Sequence, residues 1–134
     1  MNVVIDTNVL VSAFAIGGKP RQVLDQAVGG DITAYTSQAL LTELTEILNR
    51  KFGFDDEKIQ QIEQLIIESF TIVTPRHIPN VVARDPDDNQ VLAVAHEAEI
   101  NAIISGDKDL LSLGSYKSTP IVNASTFLAD NQSP

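Results

Sequence analysis

Apolar positions fall into two patterns along this chain: short β-branched runs, and longer stripes at helical spacing. Val3-Val4-Ile5 is the first short run. With no polar face between its residues, it suits an interior strand of a parallel sheet, buried on both sides. It stops at Asp6, and Val9 to Ile16 is again apolar or small until Gly17-Gly18 breaks it. Lys19-Pro20 then opens a helix with proline at the first position, where a missing N–H is harmless. Val23, Leu24, Ala27 and Val28 give that helix one apolar face, and Gly29-Gly30 ends it.

Ile32 to Thr36 predicts a second strand. Ser37 to Arg50 predicts a helix striped by Leu40, Leu41, Leu44, Ile47 and Leu48. Asp55-Asp56 marks a new N-terminus, and Ile59, Ile62, Ile66 and Phe70 run along one face of the next helix. Thr71 to Thr74 reads as a third strand. Pro75 to Arg84 reads as a loop with some extended structure around Val81-Val82. Asp85-Pro86-Asp87-Asp88 is a capping-box-like start to a helix ending near Glu99. Ala102 to Ser105 is a fourth strand, Gly106 to Leu113 a turn with a short helix, and Pro120 to Val122 a fifth strand. Ser125 to Ala129 is a last helix. The reading is one domain over residues 1–129 with a frayed tail at 130–134.

Strands alternating with helices imply an α/β fold, a parallel sheet with helices on both faces. Each crossover helix runs back against the strands, so its N-terminal end lies at the strands' carboxyl edge, where open α/β folds place their chemistry. Asp6 ends strand one and Asp107 follows strand four. Glu43 and Asp88 lie early in the helices that follow strand two and precede strand four. All four belong to one edge. On the Ser37 to Arg50 helix, Glu43 sits about 40° off the apolar stripe, whereas Glu46 points about 100° away, toward solvent. Asp88 projects onto the stripe of Val91, Leu92, Val94 and Ala95, and Asp87 shares that face, so angle alone leaves the two open. Each acid also has a plainer role: Asp6 as a helix cap, Glu43 as a helix-flank glutamate, Asp88 as a first-turn carboxylate favoured by the helix dipole, and Asp107 and Asp109 as turn formers.

Charge sharpens the question. Eighteen acidic residues against nine basic ones leave a formal net charge of −9, and no basic stripe announces a nucleic-acid surface. Four carboxylates facing one another would repel and hold their protons unless a cation shared them. Oxygen ligands without nitrogen or sulfur suit Mg²⁺ or Mn²⁺, one or two ions that bind phosphates and activate water. There are no cysteines, which excludes thiol chemistry and Cys-ligated zinc. No Gly-rich P-loop and no Gly-x-Ser-x-Gly elbow is present. His77 lies between prolines and His96 on a polar helix flank, with nothing in the sequence to pair them. The first apolar run begins at residue 3 and none approaches the roughly 20 residues of a membrane span, so a cytoplasmic protein without a leader is expected.

Ile5-Asp-Thr-Asn-Val-Leu10, Glu43 in Leu40-Leu-Thr-Glu-Leu44, Asp88-Asn-Gln-Val-Leu-Ala-Val-Ala95 and Ser105-Gly-Asp-Lys-Asp-Leu110 together resemble the successive motifs of PIN domains. The likeness is greatest to the toxin members of bacterial toxin–antitoxin pairs of the VapC type, and covers the chain to about residue 129. It implies a three-layer α/β/α fold with a five-stranded parallel sheet of order 3-2-1-4-5. It implies an acidic quartet of Asp6, Glu43, Asp88 and Asp107, choosing Asp88 over Asp87, with Asn8, Ser105 and Asp109 in support. It further implies Mg²⁺- or Mn²⁺-dependent RNA cleavage leaving 5′-phosphate and 3′-hydroxyl ends, a homodimer and a small antitoxin partner. Lys19, Arg21 and Lys108 are candidates for steadying substrate phosphates, with surface solvation as the plainer role. The rival reading is a catalytically idle module of the same fold that binds a protein or RNA. A phospho-acceptor role for Asp6 fits less well, since Asp6-Thr-Asn lacks a second aspartate.

Overall fold

The computed structural model describes residues 1–81 and 86–131. In chain order the elements are β1 (Asn2–Ile5), α1 (Thr7–Ala15), α2 (Gly18–Val28), β2 (Thr33–Thr36), α3 (Gln38–Phe52), α4 (Asp56–Ser69) and β3 (Thr71–Ile72). There follow α5 (Pro86–Glu97), β4 (Ala102–Ile104), α6 (Lys108–Leu113), β5 (Ser115–Tyr116), β6 (Thr119–Val122) and α7 (Ala124–Asp130). The third strand is shorter than expected, the last helix runs to Asp130 rather than fraying there, and the cap expected at Asp85 lies outside the described residues.

The sheet has the order β3-β2-β1-β4-β6-β5. Its first five members are parallel neighbours in the expected order, with β6 as the fifth strand. The expectation of five strands, all parallel, is corrected at the edge, where β5 pairs antiparallel with β6. Two residues cannot show an alternating pattern, and the connecting turn is Lys117-Ser118 rather than the Asn-Gly or Asp-Gly that marks a tight hairpin. Both turn residues carry positive φ, 47° and 71°. Left-handed backbone at a residue with a Cβ costs roughly 1 kcal/mol or more. Ser118→Gly is therefore expected to stabilise the protein by about 1 kcal/mol, read as a higher urea midpoint at unchanged m-value.

Two apolar layers explain the unbroken run in β1. Val3 and Ile5 enter a core built with α1, α2, α3, α4 and α7, whereas Val4 enters a second core with Val91, Leu92 and Val94 of α5 and Leu110 of α6. Alternate side chains of one strand thus serve opposite faces. Ser37 caps α3, accepting from the Leu40 amide, and Asp55 caps α4, accepting from the Lys58 amide, as their residue types favour. Pro20 is the third residue of α2, not the first. Gly17 and Gly18, with φ of 105° and 65°, turn the chain into the helix ahead of it, and a first-turn proline still sacrifices no helical hydrogen bond. Among the described residues no helix is long and apolar enough to cross a membrane.

Candidate active site

β1 and β4 lie side by side with Ile5 opposite Ile104, so the residues leaving their carboxyl ends, Asp6 and Ser105, are forced into contact. The Asp6 amide donates to the Ile104 carbonyl (2.8 Å) and the Ser105 amide to the Val122 carbonyl (2.9 Å), anchoring both to the sheet edge. The Ser105 hydroxyl donates to Asp6 Oδ2 at 2.7 Å and accepts from the Asp107 amide at 3.0 Å. Asp107 is the N-cap of α6, its Oδ1 accepting from the amides of Asp109 (2.8 Å) and Leu110 (3.1 Å). One oxygen of Asp107 is thus committed to the cap.

Asp6 stands at the N-cap of α1 without a well-formed side-chain capping bond, and the first-turn amides of Thr7 and Asn8 act on its carboxyl only as the smallest influences. It is only 4 % exposed. Burial pushes its carboxyl above the ordinary 3.8; the Ser105 hydroxyl pulls it down, the Asp107 charge pushes it up again, and the amides of Asn8 and Thr7 oppose that push. Thr7 beside it is also buried, and its hydroxyl has no hydrogen-bond partner among the described residues.

Asp88 arrives from the first turn of α5 and is 3 % exposed. One carboxylate oxygen from each of Asp88, Asp107 and Asp109 lies within 4.8 Å of the other two. Asp6 and Glu43 are not members of this trio. Glu43 is half-buried on α3 while Glu46 is exposed, so helical angle separated the two correctly. Asp109, read from the sequence as supporting, is a full member. The signal for it was the cap itself, since an N-cap aspartate and the second residue of its helix sit within one turn. Asn89 follows Asp88, buried, and its Oδ1 accepts from the Val81 amide at 3.0 Å, tying the preceding loop to α5.

This donor set is hard and anionic, converging near an Asp6 whose burial disfavours its charge. It fits a divalent cation with oxygen preference, the kind that carboxylates alone can hold. Matched against family profiles, the chain is recognised as a PIN domain over residues 2–109. The chain belongs to the PIN domain family. PIN domains are nuclease-type hydrolases that use divalent metal ions at acidic residues and act on nucleic acid. No curated protein matches this chain. The PIN match runs through Asp109 and so takes in every acid described above, leaving β5, β6 and α7 beyond it.

A cavity of about 700 Å³ opens beside the acids of this PIN domain. Asn8, Ser105, Asp107 and Asp109 line it, and so do Lys19 and Lys108. Arg21 behaves differently: its Nε bonds Asp25 Oδ1 at 2.9 Å one helical turn on. The histidines, unpaired in the sequence reading, meet in the fold. Their rings are 6.1 Å apart at 65°, and Lys117 Nζ lies 2.9 Å from His96 Nδ1. The loop after β3 makes this possible, since the Arg76 amide and guanidinium both hold Glu97 at the end of α5. That is the opposite edge of the sheet, so the pair takes no part in the acidic site.

Proposed function

We propose that this PIN domain is a metal-dependent endoribonuclease, the toxin of a toxin–antitoxin pair. The observation that carries the proposal is the meeting of Asp88, Asp107 and Asp109 at 4.8 Å or less, with buried Asp6 joined to Asp107 through one serine hydroxyl. Asp6, Glu43, Asp88 and Asp107 would hold Mg²⁺ or Mn²⁺, with Asp109 completing the group. When bound, such an ion supplies Lewis acidity to a phosphodiester and lowers the pKa of water.

The chain's own residues do the rest. Ser105 fixes the rotamer of Asp6. The α6 amides fix Asp107, and Lys19 and Lys108 stand where substrate phosphates would pass. Water adds to phosphorus as the P–O3′ bond breaks, and its proton ends on the departing 3′-oxygen, leaving a 3′-hydroxyl and a 5′-phosphate. RNA as substrate and the toxin role are supported by the likeness of the four motifs to those toxins, which also brings a homodimer and a small antitoxin.

The test is direct. Purified protein is incubated with an RNA oligonucleotide and its DNA counterpart, with Mg²⁺, Mn²⁺ or EDTA. RNA fragments bearing 5′-phosphates, formed only with the ions, support the reading; intact RNA under every condition would falsify it. For the toxin role, induced expression should halt growth, and co-expression of a small neighbouring reading frame should relieve it.

Ser105→Ala removes the hydroxyl that orients Asp6 and favours its charge. Cleavage is expected to fall roughly 10- to 100-fold, as for other groups that orient metal ligands. The alkaline rise of the pH–rate profile should also move to higher pH, because a cause lowering the Asp6 carboxyl has gone. A merely structural serine would lower activity without moving the profile.

A further inference from the structure

Residues 76–81, between β3 and α5, are pinned to α5 near both of its ends. At the C-terminal end the Arg76 amide donates to Glu97 Oε1 at 2.9 Å, and Arg76 Nε lies 3.4 Å from Glu97 Oε2. Beside them the ring of His77 meets that of His96 at 65°. At the N-terminal end the Val81 amide donates to Asn89 Oδ1 at 3.0 Å. The segment therefore runs antiparallel to the helix, since its partners fall from 97 to 89 as it rises from 76 to 81.

Chain length leaves this strap little slack. The helix rises about 12 Å from Asn89 to Glu97. The strap from Arg76 to Val81 reaches about 16–18 Å at full extension, and somewhat less with the backbone that Pro79 fixes. Pro79 is buried, although the strap residues on either side of it are exposed. On α5, Ala93 lies midway between Asn89 and Glu97 on the same helix face. It is fully buried, yet among the described residues it belongs to neither apolar core. A strap laid along α5, with Pro79 at its middle, accounts for both burials.

The strap ends beside the acidic site. Asn89, which receives it, is buried, and Asp88 immediately before it brings one oxygen to the carboxylate trio. Val91, Leu92 and Val94 seat the body of α5 in the second core; the first turn lies ahead of these and is tied down through Asn89. We propose that residues 76–81 are a brace holding that first turn, and Asp88 with it, in place against Asp107 and Asp109. Glu97, at the opposite edge of the sheet, is then a positioning residue for the acidic site. It touches no reacting atom and acts through Arg76, the strap and Asn89. The consequence for ion binding rests on the metal reading of the trio, whereas the coupling along α5 does not. Coupling of this kind is reciprocal, so loosening either end of the strap is felt at the other.

The experiment compares the ¹⁵N-labelled full chain with its Glu97→Ala, Glu97→Gln and Glu99→Ala variants, by amide hydrogen exchange in EDTA and by titration with Mn²⁺. Glu97→Ala is expected to speed exchange at Val81 about tenfold, the worth of one hydrogen bond to a charged group. Gln90 and Val91 should follow to a lesser degree, with the amides of β1 and β4 unchanged. Mn²⁺ should bind severalfold more weakly, short of the roughly 10- to 100-fold for a group bonded directly to a ligand. Glu97→Gln keeps an oxygen for the Arg76 amide and should restore both readings. Glu99→Ala removes a charge at the same edge and should change neither. From the other end, Asn89→Ala should speed exchange at Arg76, which tests the brace even if Glu97→Ala fails to fold. Val81 exchanging as slowly in Glu97→Ala as in wild type overturns the brace, and so does faster exchange spread equally over β1 and β4. Faster exchange at Val81 with unchanged Mn²⁺ affinity overturns the positioning role of Glu97. The two readings fail separately: a wild-type chain that binds no Mn²⁺ removes the metal and leaves the brace to be decided by exchange at Val81, Gln90 and Val91. Equal Mn²⁺ binding and RNA cleavage in wild type and Glu97→Ala keep the nuclease and remove the positioning role.

Discussion

Asp6→Asn is expected to abolish most cleavage and, in metal-free buffer, to make the protein more stable. The loss of activity should be on the order of a hundred- to a thousandfold, the usual effect of removing one preorganised group that stabilises developing charge. The gain in stability follows from the burial of Asp6, which holds its carboxyl above the ordinary value. A raised carboxyl favours folding when protonated, and that contribution is lost as pH rises through the raised value. At neutral pH the folded chain carries an ionised group with little solvent around it. Asparagine keeps the shape and can still accept from Ser105, but has no charge to desolvate. In EDTA near pH 7.5 the variant should be the more stable protein, read as a higher Tm than wild type. The difference should shrink as pH falls through the raised value of the wild-type Asp6 carboxyl, where it takes up its proton. A variant less stable than wild type in EDTA at neutral pH would show that Asp6 is held for structure.

Much of this site was legible before any coordinates. The edge rule for parallel sheets assigned Asp6, Glu43, Asp88 and Asp107 to one edge because it depends only on which end of each element a residue occupies; of these, Asp88 and Asp107 meet within 4.8 Å and Asp6 is joined to Asp107 through Ser105. Helical angle then separated Glu43 from Glu46, and burial agrees, half-buried against exposed. What periodicity could not supply was distance. Asp109 lies two residues beyond Asp107, and only the cap geometry at the start of α6 turns its carboxylate into the trio with Asp88. The β5–β6 hairpin escaped for a related reason: its strand is two residues long and its turn carries Lys117 and Ser118 at positive φ, where sequence patterns expect glycine or asparagine. The pairing of His77 with His96 depends on the path of a loop, and loops carry no period to read.

The distinction between quartet and trio decides the second large effect, stabilisation by divalent ions. An ion that binds only the folded chain stabilises it by RT ln(1 + [ion]/Kd), about 2.7 kcal/mol when free ion exceeds Kd a hundredfold. That corresponds to a Tm rise of roughly 10 °C, measured with Mn²⁺ or Mg²⁺ against EDTA. Asp88→Asn, Asp107→Asn and Asp109→Asn should each remove most of the rise, since each takes one of the three oxygens that lie within 4.8 Å of one another. Asp107→Asn is a clean test despite its position, because asparagine caps helices as well as aspartate does and so spares α6. Glu43→Gln should remove less of it, as Glu43 lies outside the trio. The rise should also fade as pH is lowered, because the ion competes with protons for the same carboxylates. Equal loss in Glu43→Gln and Asp88→Asn would show that the ion draws Glu43 in when it binds. Equal Tm with and without ion in the wild-type chain would remove the metal from the site, and with it the reason for so many carboxylates to stand at one edge of the sheet.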